Sequence, residues 1–228
     1  MEGLYRLVWA TLSGLTMINI LFIADVRTGI VTLSVLFVMF AFETWRFKGL
    51  IYVAMMALLA LFAYKNIHDT HNLRIVGIQK EISADPSASS AGQRLEMYRH
   101  TLILIGHHPL FGGGTGSIEG EYTNLIKDDT SVFVRKVTNP HNQFLMTMQE
   151  LGLIGLLILI AFWGVHWWQS YRLDSTEAGY LLRALIITTA LGSAFNSLLL
   201  DSGDGRMYCI LSGILLAGYQ SNRGHKFD

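Results

Sequence analysis

From Leu7 onward the chain meets only two charged side chains, Asp25 and Arg27, before Glu43. At ~1.5 Å per residue, one helix over that stretch would be roughly 50 Å long, against a hydrocarbon core of about 30 Å. The run must therefore fold as a hairpin of two spans, turning at "ADVRTG". Four more apolar segments follow, at about 49–64, 143–165, 179–199 and 207–220, and with 5–24 and 28–43 they make six. Composition points the same way: 51% of residues are hydrophobic, 15% are charged, and mean hydropathy is +0.39. Ordinary soluble domains are more polar than this. The expected fold class is an all-α integral membrane protein. It has about six transmembrane helices and one large extracytoplasmic segment containing amphipathic helices.

Loop charge sets the expected orientation. With six spans, both termini share a side. That side carries Arg6, Arg46, Lys48, Arg172, Arg183, Arg223 and Lys226, whereas the opposite short turns carry only Arg27 and Arg206. The termini are expected in the cytoplasm and residues 65–140 outside. The expected organisation is three transmembrane helices in 1–64, an extracytoplasmic segment in 65–140, and three transmembrane helices with a short cytoplasmic tail in 141–228. Glu2 cancels Arg6, and no small-x-small cleavage site follows Ala24, so the first span reads as retained. Formal net charge is zero, which offers no electrostatic basis for nucleic-acid binding. Cys209 is the single cysteine and cannot form an internal disulfide.

The outer segment is neutral, with eight basic and eight acidic residues. After the polar linker "SADPSASSAGQ", a helix is expected over about 91–106, capped by Ser89 or Ser90. Leu95, Tyr98, Leu102 and Ile105 fall at helical spacing and predict its apolar stripe. Pro109 and "FGGGTG" end it. Residues 117–138 show no strong period.

The expected topology puts the unusual polar residues on one face. They are Asp25, Arg27, Arg94, Arg99, the Gly112–Gly116 loop, His141, Asp201, Asp204 and Arg206. Ionisable groups at membrane depth are costly and tend to be functional. Each also has a structural reading. Arg27 can snorkel to the interface, and Arg94 can sit on a solvated helix face. Arg99 can pair with Glu96, and Asp201 and Asp204 with Arg206. "GGGTG" lacks the lysine of a phosphate-binding loop and reads as a turn. Asn139 and Pro140 suit a helix N-cap and first turn. Capping does not require His141, whose side chain suits proton transfer near neutral pH. His68 with His71, and His107 with His108, lack a third ligand at telling spacing, so no metal is expected.

"SAGQRLEMYRHTLILIGHHPLFGGGTG", "NPHNQFLMTMQELGLIGLLILI" and "NSLLLDSGDGRMY" resemble, in that order, the O-antigen ligase and O-antigen polymerase superfamily. Its HN-x-x-L…G-x-x-G pattern is matched by His141, Asn142, Leu145, Gly152 and Gly155. "VRTG" resembles the family's outer-turn "SRG", with Val26 in place of serine. The resemblance implies a glycosyltransferase of the bacterial inner membrane, working on the periplasmic face without metal or other cofactor. Its donor would be a polyprenyl-diphosphate-linked glycan. Its acceptor would be the lipid A core for a ligase, a lipid-linked glycan for a polymerase, or a protein hydroxyl.

His141, Arg94 and Arg27 are the expected catalytic residues. His141 would act as base or acceptor-orienting group, and the two arginines would hold the diphosphate. Arg99, Asn142, Arg206 and Asp201 are expected to bind substrate. Membrane lipid is the expected surroundings. Family members carry further spans upstream, so a separately encoded N-terminal half or an extension is expected as partner, with Gly14, Gly29 and Ala41 as packing surfaces. A transporter or flippase segment and an inactive fragment are the readings from other classes. Clean spans with polar groups at one end weigh against the transporter.

Overall fold

The computed structural model describes residues 11–16, 27–46, 48–49, 51, 53–54, 87 and 89–224. The chain divides into two units, Met1–Lys65 and Asn66–Asp228. Residues 24–26 of the expected turn at "ADVRTG", Asp25 among them, lie outside the described residues, as do most of the segments expected at 5–24 and 49–64 and the histidines His68 and His71. The Arg27 side chain also lies outside them.

In the first unit, α1 runs over Arg27–Trp45. Between Arg27 and Glu43 it carries no charge, and Ile30, Val31, Phe37, Phe40 and Trp45 stand exposed around it. A helix apolar on all sides is buried in a large core or in lipid.

The second unit contains α2 (Ser90–His107), α3 (Ile118–Leu125), α4 (Gln143–Ser170), α5 (Thr176–Ser193) and α6 (Ser202–Gly224). Every described element is a helix. Ser89 caps α2 by accepting from the Gly92 N–H at 3.0 Å, as its position before "SAGQ" predicts. The face that α2 buries is not the predicted stripe. Met97, Thr101 and Leu104 turn inward with Ile105, whereas Leu95 and Leu102 are exposed. Apolar residues occupy both faces of α2, and tertiary partners choose between them. Those partners are Ile118 and Tyr122 of α3, Ile126, Val132 and Val137 of the segment after it, and Met146 of α4. Glu96 does not pair with Arg99. Its carboxylate accepts from the backbone N–H groups of Phe133 and Val134, tying α2 to the irregular strap over 126–138. Helix α3 has a readable signal: Ile118, Tyr122 and Leu125 lie at i, i+4 and i+7, with Glu119 and Glu121 in the first turn.

Leu159 and Trp163 of α4, Leu182 and Ile186 of α5 and Tyr208 of α6 form a second core. Arg183, grouped by sequence with the inner-side cations, is buried within α5 and donates to Ser170 Oγ at 3.1 Å. Its guanidinium lies 4.6 Å from the Tyr171 ring.

The segment expected as one clean span from 143 is broken. Gly152 has φ 65° and ψ −164°, a conformation open almost only to glycine. The arms on either side fold toward one another. The Phe144 and Trp163 rings lie 5.8 Å apart, where a straight helix would separate their α-carbons by about 28 Å. Backbone groups freed at the break are met by the loop after α2. Gly113 and Gly114 donate to the carbonyls of Gln149 and Glu150 at 2.8 and 2.9 Å. Leu153 and Ile154 donate to those of Pro109 and Leu110 at 2.8 and 3.3 Å. The glycine cluster is thus a wedge that completes a broken helix, not a free turn.

Two helices among the described residues are long and apolar enough to cross a membrane, Thr28–Trp45 and Gln143–Ser170. In the second, the continuous arm from 153 to 170 is about 27 Å long, near the hydrocarbon thickness. Leu157, Ile158 and Ile160 are exposed along it.

Candidate functional site

The polar entrance to α4 is stitched to the turn between α5 and α6. The N-cap is Asn142 rather than Asn139. Its Oδ1 accepts from the N–H groups of Phe144 and Leu145, and its Nδ2 donates to the Ala194 carbonyl at 2.9 Å. Gln143 Oε1 accepts from the N–H groups of Leu199 and Leu200 at 3.1 and 3.3 Å. Ser197 Oγ donates to Asn139 Oδ1 at 2.7 Å. Three of the four polar side chains in "NPHNQ" therefore satisfy backbone or turn groups, as buried polar groups must be satisfied.

His141 is different. Its backbone is left-handed, with φ 55°, a region that costs a non-glycine residue ~1–2 kcal/mol. Two bonds hold it there. Its N–H donates to Asn139 Oδ1 at 2.8 Å, and its carbonyl accepts from the Tyr98 hydroxyl at 3.1 Å. The imidazole is exposed, and its Nδ1 lies 3.2 Å from Asn196 Oδ1. Backbone strain sustained by surrounding bonds is a feature of functional positions.

The Tyr98 bond also locates Arg94. The two residues are i and i+4 on α2, so they share a face one turn apart. Arg94 is half-buried, one turn before Tyr98 on the same side of α2. Arg99 is exposed and lies one residue on, about 100° further round the helix. Asp201 and Arg206 line an open groove of about 390 Å³ at the head of α6, walled by Phe162, Leu199, Leu200 and Tyr208. Leu199 and Leu200 join that groove to Gln143 and so to the His141 stretch. Asp201 accepts from the Gly203 N–H at 3.2 Å. Arg27 belongs to the other unit.

The glycine loop does not serve as an anion cradle. The N–H groups of Gly112, Gly113 and Gly114 donate to backbone carbonyls, and that of Gly116 donates to Glu150 Oε1 at 2.8 Å. Among the described residues, no cluster of His, Cys, Asp or Glu is arranged to hold a metal. Sequence reasoning missed Asn196 and Tyr98 as parts of the site. The readable signal for Asn196 was a carboxamide inside the otherwise apolar "AFNSLLL".

A family model described as O-antigen ligase matches residues 12–160. No curated protein matches the chain. The matched range takes in Arg27, Arg94, His141 and both glycines of the G-x-x-G pattern.

Proposed function

The chain belongs to the O-antigen ligase family, and from that premise we propose that it moves a glycan from a polyprenyl diphosphate to an acceptor hydroxyl. The setting is the periplasmic face of a bacterial inner membrane, and the acceptor is the lipid A core, as in a ligase. Six spans with cytoplasmic termini and residues 65–140 outside are part of this reading. The observation that supports it is the bond from Tyr98, one turn from Arg94 on α2, to the carbonyl of an exposed, strained His141.

In the proposed step the acceptor oxygen bonds to the anomeric carbon, and the bond from that carbon to the diphosphate oxygen breaks. The acceptor proton passes to His141, and the electron pair leaves with the diphosphate. Arg94 takes up the developing charge, because a guanidinium offers planar, permanently charged, bidentate donors. Preset cations at a poorly hydrated site stabilise such charge strongly. No metal is assigned a part. Asn142 sets the entry of α4, and Arg206 with Asp201 borders the groove where part of the donor or acceptor rests. The polyprenyl tail stays among apolar helix surfaces and lipid.

The break at Gly152 is a feature shared with transporters, whose discontinuous helices expose backbone groups to a substrate. Here the loop of 109–114 consumes those groups, which weighs against transport.

Deletion in the encoding bacterium, followed by glycan analysis, tests the reading. Loss of polymer from lipid A with lipid-linked polymer retained supports the ligase. Single repeats on the core would indicate a polymerase instead. Unchanged surface glycan would sink both.

A further inference from the structure

His141 offers a chosen nitrogen. We infer that Asn196 holds neutral His141 as the Nδ1–H tautomer, so that Nε2 carries the lone pair that receives the acceptor proton. The catalytic meaning rests on the transfer proposed above; the tautomer does not.

The backbone N–H of Ser197 donates to Asn196 Oδ1 at 3.0 Å. An N–H has no lone pair, so the oxygen of the carboxamide, not its nitrogen, must face that way. The same oxygen lies 3.2 Å from His141 Nδ1. A carboxamide oxygen only accepts, so Nδ1 must donate. A neutral imidazole has one N–H, so Nε2 is left as the base. Free histidine in water favours the opposite tautomer, which makes the assignment a property of this site.

Both partners are fixed independently of each other. The Asn196 N–H donates to the Gly192 carbonyl at 2.9 Å, anchoring it to the end of α5. The Asn139–Ser197 and Asn142–Ala194 bonds hold the two stretches together. Asn139 and Tyr98 hold the His141 backbone. Asn196 touches none of the reacting atoms. It is a positioning residue that acts through the ring, as the partners behind metal-bound histidines do.

The test uses the full chain, labelled with ¹⁵N-histidine, in lipid nanodiscs at a pH where imidazole is neutral. The His141 resonances are identified by their loss in His141→Asn. Wild type should show a protonated Nδ1 and a pyridine-like Nε2. Asn196→Leu should shift His141 toward the Nε2–H form, whereas Asn196→Asp, which keeps an acceptor oxygen, should not. Should Asn196→Leu fail to fold, Asn196→Ala carries the same comparison. In transfer assays, Asn196→Leu should lose about 10–100-fold in kcat with donor KM unchanged, and Asn196→Asp should recover most of the rate. A wild-type His141 found as Nε2–H, or one whose spectrum ignores Asn196→Leu, overturns the assignment. Full kcat in a variant whose tautomer has switched overturns its catalytic part. Absence of transfer by the wild type would count against the proposed function alone, since the spectrum still decides the tautomer.

Discussion

The backbone of Leu110 stands where a β-carbon on residue 152 would be, and Gly152 is what admits it. The contact is reciprocal, because a β-carbon on Gly112, which also has positive φ, would meet the backbone of Glu150. Gly152→Ala must therefore displace backbone as well as occupy a strained φ/ψ region, which costs of order 1–3 kcal/mol by itself. The variant should melt well below wild type, and transfer should fall with it. Gly106→Ala is the control. It lies in α2 with nothing within 4 Å of the added atom, so it should hold or gain about 0.5–1 kcal/mol. Equal melting temperatures for the two variants would refute the wedge.

Substitution of His141 should separate chemistry from conformation. Asparagine tolerates left-handed backbone far better than alanine. His141→Asn should keep wild-type stability, whereas His141→Ala should lose about 1 kcal/mol, and both should abolish transfer. Arg94→Lys keeps the charge but loses the bidentate fork, so transfer should fall at unchanged stability. Thermal melts and transfer assays on the three purified variants check this. Wild-type rates in His141→Asn and Arg94→Lys would remove both residues from the mechanism.

Local signals in the sequence were sound where local physics decides. Ser89, Pro109 and the glycines bound α2 because caps and breakers act within a few residues. The apolar stripe failed because Leu95 and Leu102 satisfy the same spacing as Met97, Thr101 and Leu104. Only the partners Ile118, Tyr122 and Val132 distinguish them. The family pattern contained Gly152, yet its reason, the Leu110 backbone, comes from 42 residues earlier, in the loop after α2. Asn139 looked like the cap because Pro140 suits a first turn. The left-handed His141 instead delays the helix until Asn142. The carboxamide in "AFNSLLL" marks Asn196, but its partner His141 lies 55 residues away and nothing local names it.

Gln143 tests the stitching of the entrance. It is buried, and its one carbonyl oxygen serves two backbone N–H groups. Gln143→Leu keeps the bulk and leaves both donors unpaired. An unsatisfied buried donor costs about 1–3 kcal/mol, so a clear drop in melting temperature is expected. Transfer should also fall, because the freed turn carries Asn196. An unchanged melt would mean that water takes over both bonds.

The proposed topology rests on the basic residues near the span ends. A reporter that is active only in the periplasm, inserted after Ser87, should be active. One fused after Lys226 should be silent. Activity at the second site and silence at the first would place Arg94 and His141 on the cytoplasmic face and end the proposed reaction.

The core between α2 and α3 carries a pH signature. Tyr122 has no solvent exposure, and its hydroxyl finds no partner among the described residues. Its ring packs edge-on against His100 at 5.5 Å. Burial, and secondarily the Glu96 carboxylate, push its pKa from 10.0 up to about 12. Tyr122→Phe keeps the ring and removes an unpaired hydroxyl, so near neutral pH it should be as stable as wild type or up to about 1 kcal/mol more so. In wild type the unfolded phenol ionises from pH 10, while the folded one keeps its proton until about pH 12. Over that window the unfolded state binds fewer protons, so wild-type stability falls as pH rises. The phenylalanine variant lacks this term, and the comparison cancels the other groups that titrate there. Melts of both proteins at matched pH should show a stability gap that widens in favour of Tyr122→Phe above pH 10. A constant gap across that range would mean the hydroxyl has a partner or reaches water.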